Sequence, residues 1–172
     1  MTSRVRSVIL AIILVTIVCF LPLSISAQRR PYKLTDQQVA RIVPAAFYFQ
    51  GQSAPTQMRN SGAMRLGEDR HVIAGLVDTT GYAADVRAKY EGFLITDLPI
   101  TINGEELGIG AYGFGFSNDG KFSVMNIAGD QLLSVATTKD NALRRPRPLM
   151  MAESDNSIRL YSGKDYVVIA AK

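Results

Sequence analysis

Turn residues divide the second half of this chain into short apolar runs at close and fairly regular intervals, and this spacing leaves little room for helices. Leu98 to Ile102 meets Asn103-Gly104, Tyr112 to Phe116 meets Asn118-Asp119-Gly120, and Phe122 to Ile127 meets Gly129-Asp130, with Leu132 to Ala136 following. Asn, Asp and Gly accept the positive φ that tight β-turns require, so each junction predicts a hairpin. Arg144-Arg145-Pro146-Arg147-Pro148 reads as an extended loop, after which Ile158 to Tyr161 pairs across Ser162-Gly163-Lys164-Asp165 with Tyr166 to Ala170. Within Tyr112 to Phe116 the aromatics alternate with Gly113 and Gly115. One face of that strand is bulky and the other nearly bare, as expected where another backbone approaches closely or the strand bends sharply.

The first half carries one strong helix start. Thr35 is followed three residues later by Gln38, a capping box, and Pro44 ends the segment, leaving Val39, Ile42 and Val43 as the apolar face. Ala46-Phe47-Tyr48-Phe49 reads as a strand, Gly51 to Gly62 as a polar, Pro-containing connection, and Met64-Arg65-Leu66 with His71 to Asp78 as a hairpin around Gly67-Glu68-Asp69. Gly81 to Tyr90 allows a single helical turn before a strand at Phe93 to Thr96. The expectation is a mainly β domain: an antiparallel β-sandwich or barrel of about nine short strands with one short N-terminal helix.

Ahead of this domain stands a segment of different character. Arg4 and Arg6 precede an uncharged apolar stretch from Val8 to Leu21, and Pro22 to Ala27 adds a breaker and small residues. This layout predicts a secretory signal peptide over residues 1–27, cleaved after Ala27 or Ser26, and hence a periplasmic or extracellular location. The uncharged interval from Ser7 to Gln28 is also long enough for the alternative, an N-terminal anchor in the inner membrane. Residues 28–34 read as an exposed basic lead-in and residues 35–172 as a single β-rich domain. Loss of residues 1–27 removes Cys19, the chain's one cysteine, so the mature chain has neither a disulfide nor a thiolate ligand. It also removes Arg4 and Arg6, leaving 17 basic against 15 acidic residues, a net charge of +2 that is too weak for a nucleic-acid surface.

Catalytic patterns are sparse. His71 is the only histidine, whereas common zinc and copper sites need two or three nitrogen or sulfur ligands, so no metal or other cofactor is expected. No Gly-x-Ser-x-Gly elbow accompanies His71, and His71 itself reads as a strand-end side chain bonded to a carbonyl or to water. Gly108 to Gly115 lacks the following helix that a phosphate cradle requires. Asp78, Asp85, Glu91 and Asp97 are candidates for a two-carboxylate hydrolase, with Asp78 and Glu91 the pair to replace first. Polar side chains beside aromatics suit sugar or peptide contacts, which singles out Tyr48, Gln52, Gln57, Arg59, Asn60, Asp78 and Tyr82 as candidate binding residues. Arg144 to Pro148 has the charge to attract anionic headgroups or acidic polymers.

Phe47 to Thr56, Ala74-Gly75-Leu76-Val77-Asp78 and Gly110-Ala111-Tyr112-Gly113 resemble segments of small exported proteins of acidobacterial type, whose activity is uncharacterised. The resemblance implies a bacterial envelope setting and transfers no functional residues. Ile100 to Gly104 with Tyr112-Gly113 is similar to a hairpin theme of several secreted β-sandwich families, an analogy of fold alone. These features lead to the expectation of an exported, non-catalytic binding or envelope-associated domain. Its partner would be an envelope protein, glycan or lipid, with no nucleic acid, and with membrane contact only through a retained signal segment. The alternatives are an apolar-ligand carrier with a barrel cavity and a carboxylate-dependent hydrolase of envelope polymers.

Overall fold

The structure, a computed structural model, describes Arg30–Gly67 and Asp69–Lys172. The signal-peptide reading and Cys19 fall outside the described residues. The first sheet contains β1 (Tyr32–Lys33), β2 (Ala46–Phe49), β3 (Gln52–Arg65), β4 (His71–Val77), β5 (Gly92–Thr96), β8 (Gly110–Ser117), β9 (Lys121–Met125) and β10 (Gln131–Ala136). The second contains β6 (Ile100–Ile102), β7 (Glu105–Leu107), β11 (Thr138–Lys139), β12 (Arg147–Ser154), β13 (Ser157–Gly163) and β14 (Asp165–Ala171). Two short helices, α1 (Asp36–Ile42) and α2 (Ala84–Arg87), precede β2 and β5. Strand order is β1-β3-β4-β5-β8-β9-β10 with β2 also on β3, and β12-β13-β14-β6-β7 with β11 also on β14.

All pairings among the described residues are antiparallel and the sheets stay open, so of the two expected arrangements, sandwich or barrel, the structure is sandwich-like and not a closed barrel. Val72, Leu94, Phe114 and Val124 of the first sheet pack with Ile102, Ile158, Leu160 and Val167 of the second in one buried cluster.

The strands number fourteen among the described residues where about nine were expected, for local reasons. The segment expected as a connection from Gly51 to Gly62 is mostly β3. Its polar side chains obscured it, and Pro55 is accommodated because its carbonyl still accepts from Asp78 N–H at 2.9 Å. A register shift between Thr56 and Ser61 further breaks the alternation. β12 begins inside the Arg144–Pro148 tract; Pro148 is tolerated because this is an edge strand with a register shift at that point. The lead-in is only partly exposed: Tyr32 and Lys33 pair with Arg65 and Met64, and Pro31 and Leu34 are buried. The other junctions form as read, with Asn103 and Gly104 both at positive φ between β6 and β7.

The Thr35 capping box is complete, with Thr35 N–H donating to Gln38 Oε1 at 2.9 Å and Gln38 N–H to Thr35 Oγ1 at 3.4 Å. Val39 and Val43 are buried, whereas Ile42 is 38% exposed and leaves the expected apolar face. This helix, β2 and the α2 region cover the outer face of the first sheet. A second cluster forms there, with Phe49 stacked on Tyr90 at 3.9 Å and Phe47 on Phe93 at 5.1 Å between centroids. The central strands are therefore buried on both faces: in β4, Val72 and Ala74 point to the inter-sheet core, Ile73 and Val77 to the outer one.

Glycines make this double burial possible. A Cβ at Gly75 would stand 2.8 Å from the Phe93 ring, and one at Gly113 would stand 2.5 Å from the Phe49 ring. At Gly92 and Gly115 a Cβ would collide with backbone carbonyl oxygens, those of Gly75 and Lys89. The bare face predicted for β8 thus receives an aromatic ring at Gly113 and a crossing backbone at Gly115. Because a backbone carbonyl cannot yield as a side-chain tip can, Gly115→Ala is expected to cost about 3 kcal/mol. Gly67→Ala, at positive φ in open space, should cost about 1 kcal/mol. Urea denaturation of the two variants checks this order.

Candidate functional site

Tight hairpins build one end of the sandwich. Asn118 to Gly120 turns β8 into β9, with Gly120 at positive φ and its N–H donating to Ser117 carbonyl at 3.0 Å. Thr137 N–H donates to Gly120 carbonyl at 2.8 Å, fixing that turn against the link from β10 to β11. Across the gap, Ser162 to Asp165 turns β13 into β14, and Lys139 pairs with Asp165 in register. Between these turns stands Glu91, one residue before β5.

Glu91 is held by backbone geometry. Its N–H donates to Phe114 carbonyl at 2.9 Å and its carbonyl accepts from Val77 N–H at 3.0 Å. β5 ends here while β8 continues to Ser117, so Phe116 N–H has no strand carbonyl opposite it; Glu91 Oε2 takes that place at 3.1 Å. Two clefts meet at this side chain. One, about 300 Å³, is lined by Phe116, Ser117, Asn118, Thr137, Lys139 and Asp165; the other, about 360 Å³, by Gln57, Leu76, Thr79, Arg87, Tyr90 and Pro148. Glu91 and Ser162 line both. The lining is mostly hydroxyls, amides and charged groups drawn from both sheets.

Glu91 is half-buried and, among the described residues, has no ion-pair partner. Desolvation pushes its carboxyl above the ordinary range, and the Phe116 N–H offsets this in part. The adjacent Tyr90 hydroxyl is buried without a hydrogen-bond partner among the described residues, and its pKa is raised, first by burial and then by the neighbouring Tyr82. Chemically, the site offers a carboxyl able to donate when protonated and to accept when ionised, in a groove that also presents hydroxyls, amides and the charged Lys139 and Arg87. Asp165 supplies a second carboxyl to one cleft.

The residues singled out in the sequence are distributed over several places. Gln57 lines the Glu91 groove, its Nε2 donating to Val77 carbonyl at 2.9 Å, and Asn60 Nδ2 donates to Gln57 Oε1 at 2.9 Å. Arg59 lines a separate cleft beside α1. Tyr48 is 57% exposed on β2, and Gln52 lies exposed at the next hairpin. Asp78 is exposed and lines neither Glu91 cleft; the Thr80 backbone N–H and side chain hold its carboxyl below the ordinary range. Tyr82 is buried on Phe49 and Tyr90, its hydroxyl 3.0 Å from both the Phe49 and Gln52 carbonyl oxygens. It supports the outer core. His71 contacts a carboxylate instead of the expected carbonyl or water: its Nδ1 lies 3.4 Å from Asp97 Oδ2, and its N–H donates to Asp97 Oδ1 at 2.6 Å.

Sequence reasoning missed the cross-sheet membership of this groove, including Asn118, Lys139, Ser162 and Asp165. The available signal was that two predicted hairpin turns, Asn118 to Gly120 and Ser162 to Asp165, had to fall at an end of the sheets. Comparison with known protein families, characterised proteins and solved structures gives no match to the chain.

The folded protein takes up a proton at Glu91 more readily than the unfolded chain does. The contribution of this group to stability is fully present below the ordinary pKa of 4.5 and is lost as pH rises through the folded value. Glu91→Gln keeps an acceptor for Phe116 N–H and removes the ionisation. Urea denaturation from pH 4.5 to neutrality should show a flatter stability profile in this variant, with equal or greater stability than wild type at pH 7.

Proposed function

We propose that the protein is an exported, non-catalytic binding domain that holds a hydroxyl- and amide-bearing envelope ligand, a glycan strand or an extended peptide, in the groove at Glu91. The observation that carries this reading is the half-buried Glu91 carboxyl, without an ion-pair partner among the described residues, at the junction of two polar clefts. Neutral polar ligands are oriented by a few placed donors and acceptors, and Gln57, Asn118 and Ser162 provide both around this carboxyl. Export is supported by the layout of Arg4 to Ala27 and by the resemblance to exported proteins.

The test is binding of soluble peptidoglycan and polysaccharide fragments followed by calorimetry. Ser162→Tyr fills the point shared by both clefts and is expected to weaken binding about tenfold or more. Arg59→Ala, outside the groove, should leave the affinity unchanged. The reverse pattern would remove the groove as the site.

A hydrolytic reading draws support from two features, the raised Glu91 pKa and the Asp165 carboxyl in the same cleft. Glycoside hydrolysis employs a protonated acid and a second carboxylate in this way. Under that reading the wild type releases reducing ends from the bound polymer, while Glu91→Gln binds it without turnover. Under the binding reading neither protein does so.

A further inference from the structure

We propose that the cleft between α1, the middle of β3 and the start of β12 docks onto the headgroups of an acidic phospholipid surface. The cleft is about 400 Å³, and three cations from three strands line it: Lys33 on β1, Arg59 on β3 and Arg147 on β12. Asp36 is its one acidic lining residue. All three cations are exposed, and among the described residues none of them pairs with a carboxylate. Met58, 42% exposed, adds an apolar group to the lining beside Arg59.

Two basic tracts far apart in the sequence meet here. Lys33 continues Arg29-Arg30, and Arg147 belongs to Arg144 to Pro148. Both line the cleft, and β1 of the first sheet also touches β12, the edge of the second, where Lys33 N–H donates to Glu153 Oε1 at 2.9 Å, six residues along β12 from Arg147. Phosphates and cations attract over about a Debye length, so cations gathered at one cleft act together on an anionic surface.

The preceding chain argues for a membrane as the occupant. Arg30 leads directly into β1 on this face, and before Arg29 the sequence is uncharged back to Ser7 and carries an apolar stretch from Val8 to Leu21. Retention of that run tethers this face to a bilayer. Cleavage after Ala27 instead leaves a new α-amino group at Gln28, adding a cation to the same tract. Positive charge just past an apolar export segment opposes transfer across the membrane. A role in headgroup contact gives Arg29 and Arg30 a use that offsets this disadvantage. Membrane contact through the folded domain thereby extends the expectation of contact through the signal segment alone.

The test places the full-length chain, inserted by its apolar run, in vesicles of phosphatidylcholine alone or mixed equally with phosphatidylglycerol. Amide hydrogen exchange is then followed at α1, Met58 to Ser61 and the start of β12. Exchange is expected to be at least about fivefold slower in the anionic vesicles, with the protection removed by high salt. Arg59→Gln, at an exposed position, and the double variant Arg59→Gln/Arg147→Gln should lose it stepwise, with β4 and β5 still protected as the check on folding. Equal exchange in both vesicles would overturn the proposal, as would protection that survives in the variants. Equal protection by inorganic phosphate over neutral vesicles would assign the cleft to a soluble anion and overturn it as well.

Discussion

The architecture depends on an interlock of glycines and aromatic rings across β4, β5 and β8. Phe93 pairs with Gly75 on one side and Gly113 on the other, and Gly92 pairs with Phe114. Each large side chain thus has a neighbour without one, and rings lie over bare backbone on both faces of the sheet. Phe93 covers Gly75 and Phe49 covers Gly113 on the outer face, while Phe114 lies against Gly92 in the inter-sheet core. Phe93 and Phe114 are fully buried, and each contributes roughly 2–3 kcal/mol relative to an exposed ring. Without the glycines neither core could close on this sheet, because side chains standing in pairs would hold the covering layer away.

The same constraint shapes the groove. The close approach of the Lys89 carbonyl to Gly115 brings the chain across β8 and into β5 at Gly92. β8 therefore runs on past its partner, and Phe116 N–H is left to the Glu91 carboxylate. A half-buried ionisable group follows from a strand that outlasts its neighbour. Tyr90 and Tyr82 brace this corner from the outer core, which holds Glu91 at the mouth where the hairpins of the two sheets face each other. Glu91 thus has a structural role as an acceptor for Phe116 N–H besides the ligand role proposed for it.

Much of the fold was legible because it was written in local chemistry. Thr35 with Gln38, Asn103 with Gly104 and Ser162-Gly163 are short-range devices whose geometry depends on neighbours in sequence, and each formed as read. The glycine alternation in β8 correctly announced a close approach, since no other residue type leaves that face bare. β3 was missed because its partners differ along its length. β2 pairs with one end and β4 with the other, so polarity and Pro55 gave no single face to detect. Strand pairing of the lead-in was hidden because a pair as short as Tyr32-Lys33 has no period.

The candidate site was less legible, because it is assembled by contact between sheets. Glu91 was visible only as one of several candidate carboxylates, and nothing nearby in sequence marks the junction with Ser162. Lys33 and Arg147 were visible as basic tracts, but only the fold brings both to the cleft beside α1. Proximity between tight turns of different sheets was the information the chain withheld.

Proton NMR of the native protein tests the interlock most directly. Ring currents should move one Hα of Gly75 and one of Gly113 well upfield, with cross-relaxation from Phe93 to Gly75 and from Phe49 to Gly113. Glycine Hα resonances at ordinary strand positions, with no contact to those rings, would contradict it.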